Sequence, residues 1–328
     1  MRASFDVHPR AVASGLASFV PGLHRFTNRG SGGTMSARYC YSVWLRHLVR
    51  AQQSGLPTDP ACVAELGPGD SLGIGLAAVL SGADRYVALD VKVHANVQRN
   101  LQVFEELVQL FRDRASIPDD SEWPLTQPKL ARYAFPDQIL PAARMQASLA
   151  ESRLREIRRA IAGEPAGIQV DYRAPWNDPA TIEAASVDYL FSQAVLEHVE
   201  DLEVTYAAMR TWMKPAAPMS HSIDFSSHDL TRAWNGHWAL GDGLWRIVRG
   251  TRRYLINREP WSTHLALLKK NGFAPVLIEP RGGEVAPGFR PAGRFRHLSA
   301  EDLSTRGVFV QARASSRSYP SVRSASTG

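Results

Sequence analysis

The sequence contains one turn whose residues could hold a nucleotide-type ligand. Glu65, Gly67 and Gly69 lie at the end of a short apolar run that predicts a strand over residues 62–66. Glycine is favoured where the backbone takes a positive φ or where a ligand must touch the main chain. The next helix is predicted to begin near Ser71, and the free N–H groups of its first turn would form an anion site. The spacing therefore predicts a ligand cradle directly after this strand.

An acidic residue ends the next predicted strand. Asp90 lies in the apolar run 85–91 and follows Gly69 by about twenty residues, the distance at which a carboxylate meets a ribose in a βαβ unit. A carboxylate at this position can accept hydrogen bonds from both ribose hydroxyls. The sequence therefore predicts that the ligand is a nucleoside derivative.

The glycine spacing distinguishes between two kinds of nucleotide. A dinucleotide fingerprint, G-x-G-x-x-G, would place its third glycine at position 72, but that residue is Leu72 and the glycine is Gly73. Glu65 would also set a carboxylate against a pyrophosphate, whereas a cationic sulfonium with an amino-acid tail would tolerate it. These residues disfavour an NAD-dependent oxidoreductase.

Strand and helix patterns alternate along the chain. The predicted strands are residues 62–66, 85–91, 167–172, 186–191, 219–225, 274–278 and 307–312. The predicted helices are residues 36–55, 72–80, 95–114, 146–162, 194–213 and 262–272. This order predicts an α/β fold, with a seven-stranded, mostly parallel, doubly wound sheet that ends in an antiparallel hairpin. Such sheets bind ligands beyond the carboxyl ends of their strands, which is where the glycine turn and Asp90 fall.

Two segments resemble one superfamily. The glycine turn resembles motif I of the class I (Rossmann-like) S-adenosylmethionine-dependent methyltransferases, and Ser186-Val-Asp-Tyr-Leu-Phe-Ser-Gln-Ala-Val-Leu-Glu-His-Val resembles their fourth strand and the helix after it. The resemblance covers residues 60–312 and implies S-adenosylmethionine as the cofactor. It implies that the turn contacts the methionine part, that Asp90 holds the ribose and that residues 172–175 contact adenine. The predicted cofactor-binding residues are Glu65, Gly67, Pro68, Gly69, Ser71, Gly73, Asp90, Val91, Tyr172, Arg173, Ala174, Ser192 and Gln193.

The pair Glu197 and His198 raises the question of a metal. A similar L-E-H-V segment in ubiquinone-biosynthesis O-methyltransferases carries a further glutamate three residues earlier and binds a divalent cation, but that position is Ala194 here. Because this ligand is missing, no metal is predicted. The pair is interpreted instead as capping and orienting the active-site helix.

A second chemical region follows the fifth predicted strand. Residues 219–264 contain four of the ten histidines and four of the eight tryptophans. An O-methyl transfer gains from a base that deprotonates the hydroxyl, and imidazole titrates near neutral pH. We predict His221 as the first candidate base, and a nearby Asp could fix its tautomer. The predicted catalytic residues are His221, Asp224, His228 and His237; the first three also suit a metal by residue type, although their spacing matches no known site. Tryptophan faces stack on sugars or aromatic rings, and the predicted substrate residues are Trp234, Trp238, Arg258 and His264.

Charge is distributed unevenly along the chain. The sequence has 38 Lys and Arg against 32 Asp and Glu. The excess lies at the two ends, because residues 51–280 hold more acids than bases. An acidic central fold argues against a nucleic-acid partner. Within it, residues 232–258 hold six Arg and one acid, which favours an anionic acceptor, since arginine suits phosphate and carboxylate.

The chain is predicted to comprise three parts. These are an N-terminal extension with a helix (1–57), a methyltransferase domain (58–312) with a lid at 226–262, and a disordered Ser/Arg-rich tail (313–328). Two cysteines and no long apolar run predict a reducing, cytoplasmic setting without a membrane span. An Arg-rich, acid-poor N-terminus leaves a transit peptide as the alternative.

Together these patterns predict a methyltransferase that O-methylates a hydroxyl of a small-molecule or glycan acceptor. A nucleic-acid methyltransferase is disfavoured, because Ser192-Gln-Ala-Val stands where an N/D-P-P-aromatic motif would follow the fourth strand. A non-catalytic scaffold that keeps the cofactor fold is the alternative from another class, and the intact glycine turn argues against it.

Overall fold

A seven-stranded sheet organises the chain, and the computed structural model describes residues 7–20, 33–176 and 178–315. The strands are β1 (Cys62–Leu66), β2 (Arg85–Leu89), β3 (Gln169–Arg173), β4 (Tyr189–Gln193), β5 (Pro218–Asp224), β6 (Phe273–Gly282) and β7 (Thr305–Ala314). Their order is β3-β2-β1-β4-β5-β7-β6. The first five strands are parallel, and β7 is antiparallel to both of its neighbours. The predicted α/β fold with an antiparallel C-terminal pair is confirmed.

Helices cover both faces of the sheet. They are α1 (Pro9–Ala17), α2 (Ala37–Gln53), α3 (Gly73–Leu80), α4 (Val97–Arg112), α5 (Ala142–Ser148), α6 (Glu151–Ile161), α7 (Leu202–Trp212), α8 (Asp242–Arg249), α9 (Trp261–Lys270) and α10 (Ala300–Ser304). Helices α2 to α6 pack on the face that carries Val63, and α7 and α9 pack on the face that carries Ala64, as the two-residue period of a strand requires. None of the helices in the described ranges has the length and apolar character that crossing a bilayer requires.

Helix α2 belongs to the main core. Ser36 caps its first turn by accepting a hydrogen bond from the Tyr39 N–H. Trp44 is 1% exposed and packs against Tyr189 and Phe191 of β4, with ring centroids 5.8 and 5.6 Å away. The helix predicted over residues 36–55 is therefore present, and it supports the central strands directly.

The helix predicted over residues 194–213 is wrong in its first turns. Ala194 has φ 54°, a left-handed conformation that a continuous α-helix does not allow. The chain makes a short turn at Leu196–His198, and α7 starts only after Asp201, whose side chain accepts a hydrogen bond from the helix. Glu197 and His198 therefore lie on a loop at the end of β4 and not within the helix.

The predicted lid packs against the N-terminal helix. Helix α8 lies on α1, and their contact is close enough that a Cβ on Gly15 would lie 2.0 Å from the Ile247 carbonyl oxygen. The two helices enclose a small apolar cluster of their own that includes Ala11 and Val248. Helix α1 lies in the predicted N-terminal extension, and α8 lies in a segment for which no helix was predicted.

Smaller differences concern element ends. The helix predicted over residues 146–162 is divided between α5 and α6 at Leu149 and Ala150. Strand β7 runs through Ala314, two residues into the segment predicted as a disordered tail. Residues 316–328, to which the rest of that prediction applies, lie outside the described residues.

Candidate functional site

A cavity opens at the carboxyl ends of β1, β2 and β4. It has two adjoining parts, of about 380 and 330 Å³, and both are lined by Gly67, Asp90, Val91, Val195, His198 and Tyr254. The strand order reverses between β1 and β4, and this switch point is where open α/β sheets bind ligands. The sheet therefore brings the glycine turn and Asp90 to one cavity.

The glycines of the turn are required by its backbone. Gly67 and Gly69 have φ of 65° and 77°, which favour glycine. A Cβ on Gly67 would also lie 2.5 Å from a methyl carbon of Val195. Both glycines line the larger part of the cavity, whereas Pro68 is buried and is not among its lining residues. The main chain of the turn is thus exposed to a ligand.

At the predicted anion site near the start of α3, three N–H groups already have side-chain acceptors. The early N–H groups of this turn already donate to side chains: Asp70 N to Thr34 Oγ1 at 3.0 Å, Leu72 N to Asn100 Oδ1 at 2.9 Å, and Gly73 N to Ser71 Oγ at 3.1 Å. A phosphate at this helix end would have to displace these acceptors. The cradle is therefore suited to a ligand without a pyrophosphate.

Ser71 and Gly73 serve packing rather than ligand contact. Ser71 is fully buried, and its hydroxyl donates to the main-chain carbonyl of Thr34. A Cβ on Gly73 would lie 2.5 Å from the Cys40 sulfur, so glycine is needed where α3 meets α2. The prediction that both residues bind the cofactor is not supported, because neither lines the cavity.

Glu65 is buried beneath the turn. It is 1% exposed, it accepts a hydrogen bond from the Tyr86 hydroxyl, and it is not among the cavity-lining residues. Burial raises its pKa to about 8, although the Tyr86 hydrogen bond acts in the opposite direction. Glu65 therefore supports the turn from below, and the prediction that it contacts the cofactor is not supported.

Glu65 should make the stability of the protein depend on pH. A carboxyl whose folded pKa lies near 8 and whose usual pKa is 4.5 holds its proton more tightly in the folded state. Its stabilising contribution is complete below pH 4.5 and is lost as the pH rises through 8. We expect Glu65→Gln, which mimics the protonated acid, to be increasingly more stable than the wild type between pH 5 and 9, as measured by urea unfolding. A stability difference that does not change with pH would contradict this.

Asp90 lies at the end of β2, facing the cavity. It is 7% exposed, and burial raises its pKa above the usual range. Its Oδ1 accepts a hydrogen bond from the Val91 N–H at 2.7 Å, so one oxygen is fixed by its own turn. Its main chain is tied to β3 by a bond from Asp90 N to the Arg173 carbonyl at 3.0 Å. The carboxylate is held at a defined place beside Gly67.

The residues at the end of β3, which were predicted to contact the cofactor, support the neighbouring loop instead. The Tyr172 hydroxyl donates to the Lys92 carbonyl at 3.1 Å and accepts from the His94 N–H at 3.0 Å, so it fixes the loop after Asp90. Neither Arg173 nor Ala174 lines the cavity, whereas Trp176 lines its smaller part. Sequence reasoning missed Trp176, although it follows the predicted segment by one residue.

The end of β4 divides its two predicted residues between cavity and core. Gln193 lines the cavity, and its side-chain oxygen is 3.0 Å from Nε2 of His47, which comes from α2. Ser192 is fully buried and is hydrogen bonded to Nδ1 of His221 at 2.7 Å. Gln193 is thus a candidate ligand contact, and Ser192 is part of a buried polar network.

The structure places His221, the first candidate base, in the core. His221 is fully buried, it does not line the cavity, and burial lowers its pKa to about 3. His237 is 1% exposed and its ring packs on Trp238, and burial lowers its pKa well below the usual value. Asp224 accepts a hydrogen bond from the Ser226 N–H at 2.9 Å. Of the predicted catalytic set, His228 is exposed and packs against a lining residue.

The predicted substrate residues stabilise the lid from within. The indole N–H groups of Trp234 and Trp238 donate to the Glu284 and Arg258 carbonyls at 2.7 and 2.8 Å. Arg258 is 2% exposed and donates to the Leu240 carbonyl. His264 is fully buried and bonded to the Tyr206 hydroxyl. None of the four lines the cavity described above, so they are not supported as acceptor contacts.

Three side chains that could bind a metal meet at the wall of this cavity. One potential ligand atom each from Glu197, His198 and His228 lies within 4.8 Å of the others. The rings of His198 and His228 are 4.9 Å apart, nearly perpendicular. Burial raises the pKa of Glu197 well above its usual value and lowers that of His198 to about 4. The sequence reasoning paired the first two residues but did not connect them with His228.

The lid contributes to this cavity one lining residue, Tyr254, that was not predicted. Tyr254 lines both parts of the cavity, and it has φ 61°. A larger cavity of about 570 Å³ adjoins the smaller part and shares Val199, Glu200 and Asp201 with it. Arg249 and Arg294 line this larger cavity, and each pairs with a glutamate. The site is therefore a groove that continues from the glycine turn along the lid.

Comparisons with solved structures find chains of similar fold. A methyltransferase from Methanosarcina mazei described as S-adenosylmethionine-dependent is 13% identical over 81% of this chain and 97% of that chain, with a TM-score of 0.40. One from Mesorhizobium loti is 16% identical over 80% and 96%, with a TM-score of 0.38. Phosphoethanolamine N-methyltransferase 2 of Haemonchus contortus, solved with S-adenosylmethionine, is 14% identical over 83% and 53%, with a TM-score of 0.40.

No family model matches the sequence, and a search of curated proteins finds no match. The sheet itself has the architecture predicted from the superfamily resemblance, with the glycine turn after β1 and an antiparallel strand between β5 and β6. The chain thus has a class I methyltransferase-like fold.

Proposed function

We propose that the protein transfers a methyl group from S-adenosylmethionine to a hydroxyl of a small-molecule or sugar-type acceptor. One observation carries the proposal: the Gly67–Gly69 turn and the Asp90 carboxylate line the same cavity at the switch point of the sheet. In this arrangement the turn faces the methionine part of the cofactor and Asp90 accepts from the ribose hydroxyls. Gln193, at the end of the neighbouring strand, offers an amide to the same ligand.

The polar groups of the turn favour a sulfonium cofactor over a dinucleotide. A pyrophosphate needs unpaired N–H groups at the helix start, and three N–H groups of this turn are occupied by the side chains of Thr34, Asn100 and Ser71. The cavity is also lined by the acids Asp90 and Asp201, which suit a cationic ligand. An NAD-dependent oxidoreductase is disfavoured on both grounds.

The reaction requires an oxygen positioned in line with the methyl group. The acceptor oxygen forms a bond to the methyl carbon as the carbon–sulfur bond breaks, and the products are a methyl ether and S-adenosylhomocysteine. Most of the acceleration comes from holding the two reactants together. When no ion is bound to these side chains, the exposed imidazole of His228, which packs against His198, can take the hydroxyl proton and release it to water.

The groove along the lid is suited to a polar acceptor, and that acceptor need not be charged. Three of the lid arginines that suggested an anionic acceptor, Arg249, Arg252 and Arg258, are engaged within the protein. Arg252 donates to the Val248 and Ala11 carbonyls, and Arg249 pairs with Glu200. A hydroxyl-rich acceptor can use the exposed edges of such pairs, whereas an anion would have to compete with a carboxylate.

Calorimetry with the purified full chain tests the proposal. We expect S-adenosylmethionine and S-adenosylhomocysteine to bind with one site per chain, and NAD to show no binding. Incubation with a panel of sugars and phenols should then convert S-adenosylmethionine to its demethylated product in an acceptor-dependent way. Binding without turnover on any acceptor would favour the scaffold alternative, and absence of binding to folded protein would overturn the proposal.

A further inference from the structure

We propose that Glu197, His198 and His228 bind a divalent transition-metal ion at the wall of the cofactor cavity. The inference deepens the proposed function and rests on it for the role of the ion. Potential ligand atoms of the three residues lie within 4.8 Å of one another. An ion in their midst would be bound by two imidazole nitrogens and one carboxylate.

The Glu197 carboxylate is buried without a hydrogen-bond partner in the part of the chain that the structure describes. The residue is 2% exposed, and neither carboxylate oxygen has a hydrogen-bond partner among the described residues. Nδ1 of His198 is likewise buried and unpaired. Burying a carboxylate without a partner is unfavourable. A cation between these atoms would satisfy the carboxylate and the imidazole together.

The main chain holds two of the ligands firmly and leaves the third adjustable. The side chain of Asn257 donates to the Leu196 and Val199 carbonyls at 2.8 and 3.0 Å, and its N–H donates to the Glu197 carbonyl at 2.7 Å. The turn that carries Glu197 and His198 is thus clamped by the lid. His228 lies on the loop after β5 and is exposed, so its ring can move the short distance that closes the ligand set around an ion.

The donor set identifies the class of ion. Two histidines and one carboxylate, with further positions open, form the ligand set of catalytic zinc sites and of other first-row divalent metals. Mg²⁺ and Ca²⁺ prefer oxygen ligands. Zn²⁺ is therefore the reference ion for the site, and Mg²⁺ is the contrasting one.

The position of the site gives the ion a role. His198 lines the cavity together with Gly67 and Asp90, so an open coordination position on its side of the ion faces the proposed cofactor cradle. An acceptor hydroxyl bound there would lose its proton to water more readily, because a divalent cation lowers the pKa of a bound O–H group. The resulting oxygen attacks the methyl carbon, with no change of oxidation state.

Metal binding can be measured directly on chelator-treated, tag-free protein. By calorimetry and elemental analysis we expect one equivalent of Zn²⁺ per chain, with Mg²⁺ binding at least about 100-fold more weakly. The protein with Co²⁺ bound should show an absorption band in the visible range, as expected for Co²⁺ in a coordination site of low symmetry. His228→Ala should weaken Zn²⁺ binding by at least about 100-fold and abolish that band. Because His228 is exposed, this variant should fold normally.

A matched control and a second variant distinguish loss of this metal site from a general effect of removing a histidine. His297→Ala removes another exposed histidine and should leave Zn²⁺ binding unchanged. Glu197→Gln keeps the shape of the buried side chain and should weaken binding as His228→Ala does. If the wild type fails to bind Zn²⁺ stoichiometrically, or if His228→Ala binds it equally well, the metal site is overturned. S-adenosylmethionine binding to the same metal-free sample tests the proposed function separately. Of the three proposed metal ligands, only His198 also lines the cofactor cavity.

Discussion

Replacing Asp90 with alanine should weaken the binding of S-adenosylmethionine by about 100-fold, which corresponds to about 3 kcal/mol. The carboxylate is expected to accept hydrogen bonds from both ribose hydroxyls, and hydrogen bonds to a charged group are the strong ones. Asp90 is buried beside Gly67, so water replaces these bonds poorly. Calorimetric titration of the variant against the wild type measures the effect.

The folded state should tolerate this change. Burial raises the pKa of Asp90, so removing the carboxyl relieves a desolvation cost. Asp84→Ala is the matched control, because Asp84 precedes the same strand at its other end and pairs with Arg153 on the surface. This control should bind the cofactor as the wild type does. Equal affinity of Asp90→Ala and Asp84→Ala would show that Asp90 does not hold the ribose.

Replacing Arg46 with methionine should destabilise the protein by about 3–5 kcal/mol, since it removes the donor for several buried acceptors. Arg46 is fully buried on α2. Its guanidinium donates to the carbonyls of Pro118, Thr126 and Pro128 at 3.0 to 3.1 Å, and to Asp120 at 3.1 Å. One side chain therefore holds the long irregular segment that precedes α5. Urea unfolding monitored by tryptophan fluorescence measures the loss.

A second arginine of the same helix provides the comparison. Arg38 pairs with Glu122 through two hydrogen bonds of 2.8 and 2.6 Å, but its side chain is 50% exposed. Arg38→Met should cost at most about 1 kcal/mol, because exposed ion pairs contribute little. Similar losses for the two variants would contradict the assignment of Arg46 as the anchor of that segment.

The elements of the fold follow closely from local sequence. Apart from Glu65 and Arg85, the segments Cys62–Leu66 and Arg85–Leu89 are apolar on both faces, which predicts strands buried between two helical layers. Gly67 and Gly69 predict the turn between strand and helix, because their backbone conformation is one that few other residues adopt. The predicted position of Asp90 at the end of β2 follows from the same strand pattern. These features depend on neighbours in sequence, so they could be predicted.

The direction of polar side chains depends on the sheet register. Ser192 of β4 pairs with His221 of β5, so both side chains point to the same face and bond to each other in the core. One position further, Gln193 points the other way and reaches the cavity. No local pattern distinguishes these two positions. Its residue type made His221 an attractive candidate base, but its side chain lies in the core and not at the cavity.

What the sequence determined by itself is the order of strands and helices, the glycine turn and the acid that faces it. What the tertiary structure decided is which distant groups meet. Glu197 and His228 are about thirty residues apart, and Ala194 bends the chain out of the predicted helix so that the first of them faces the second. Glu197 follows β4 and His228 follows β5, so these side chains come together only once the two strands lie side by side.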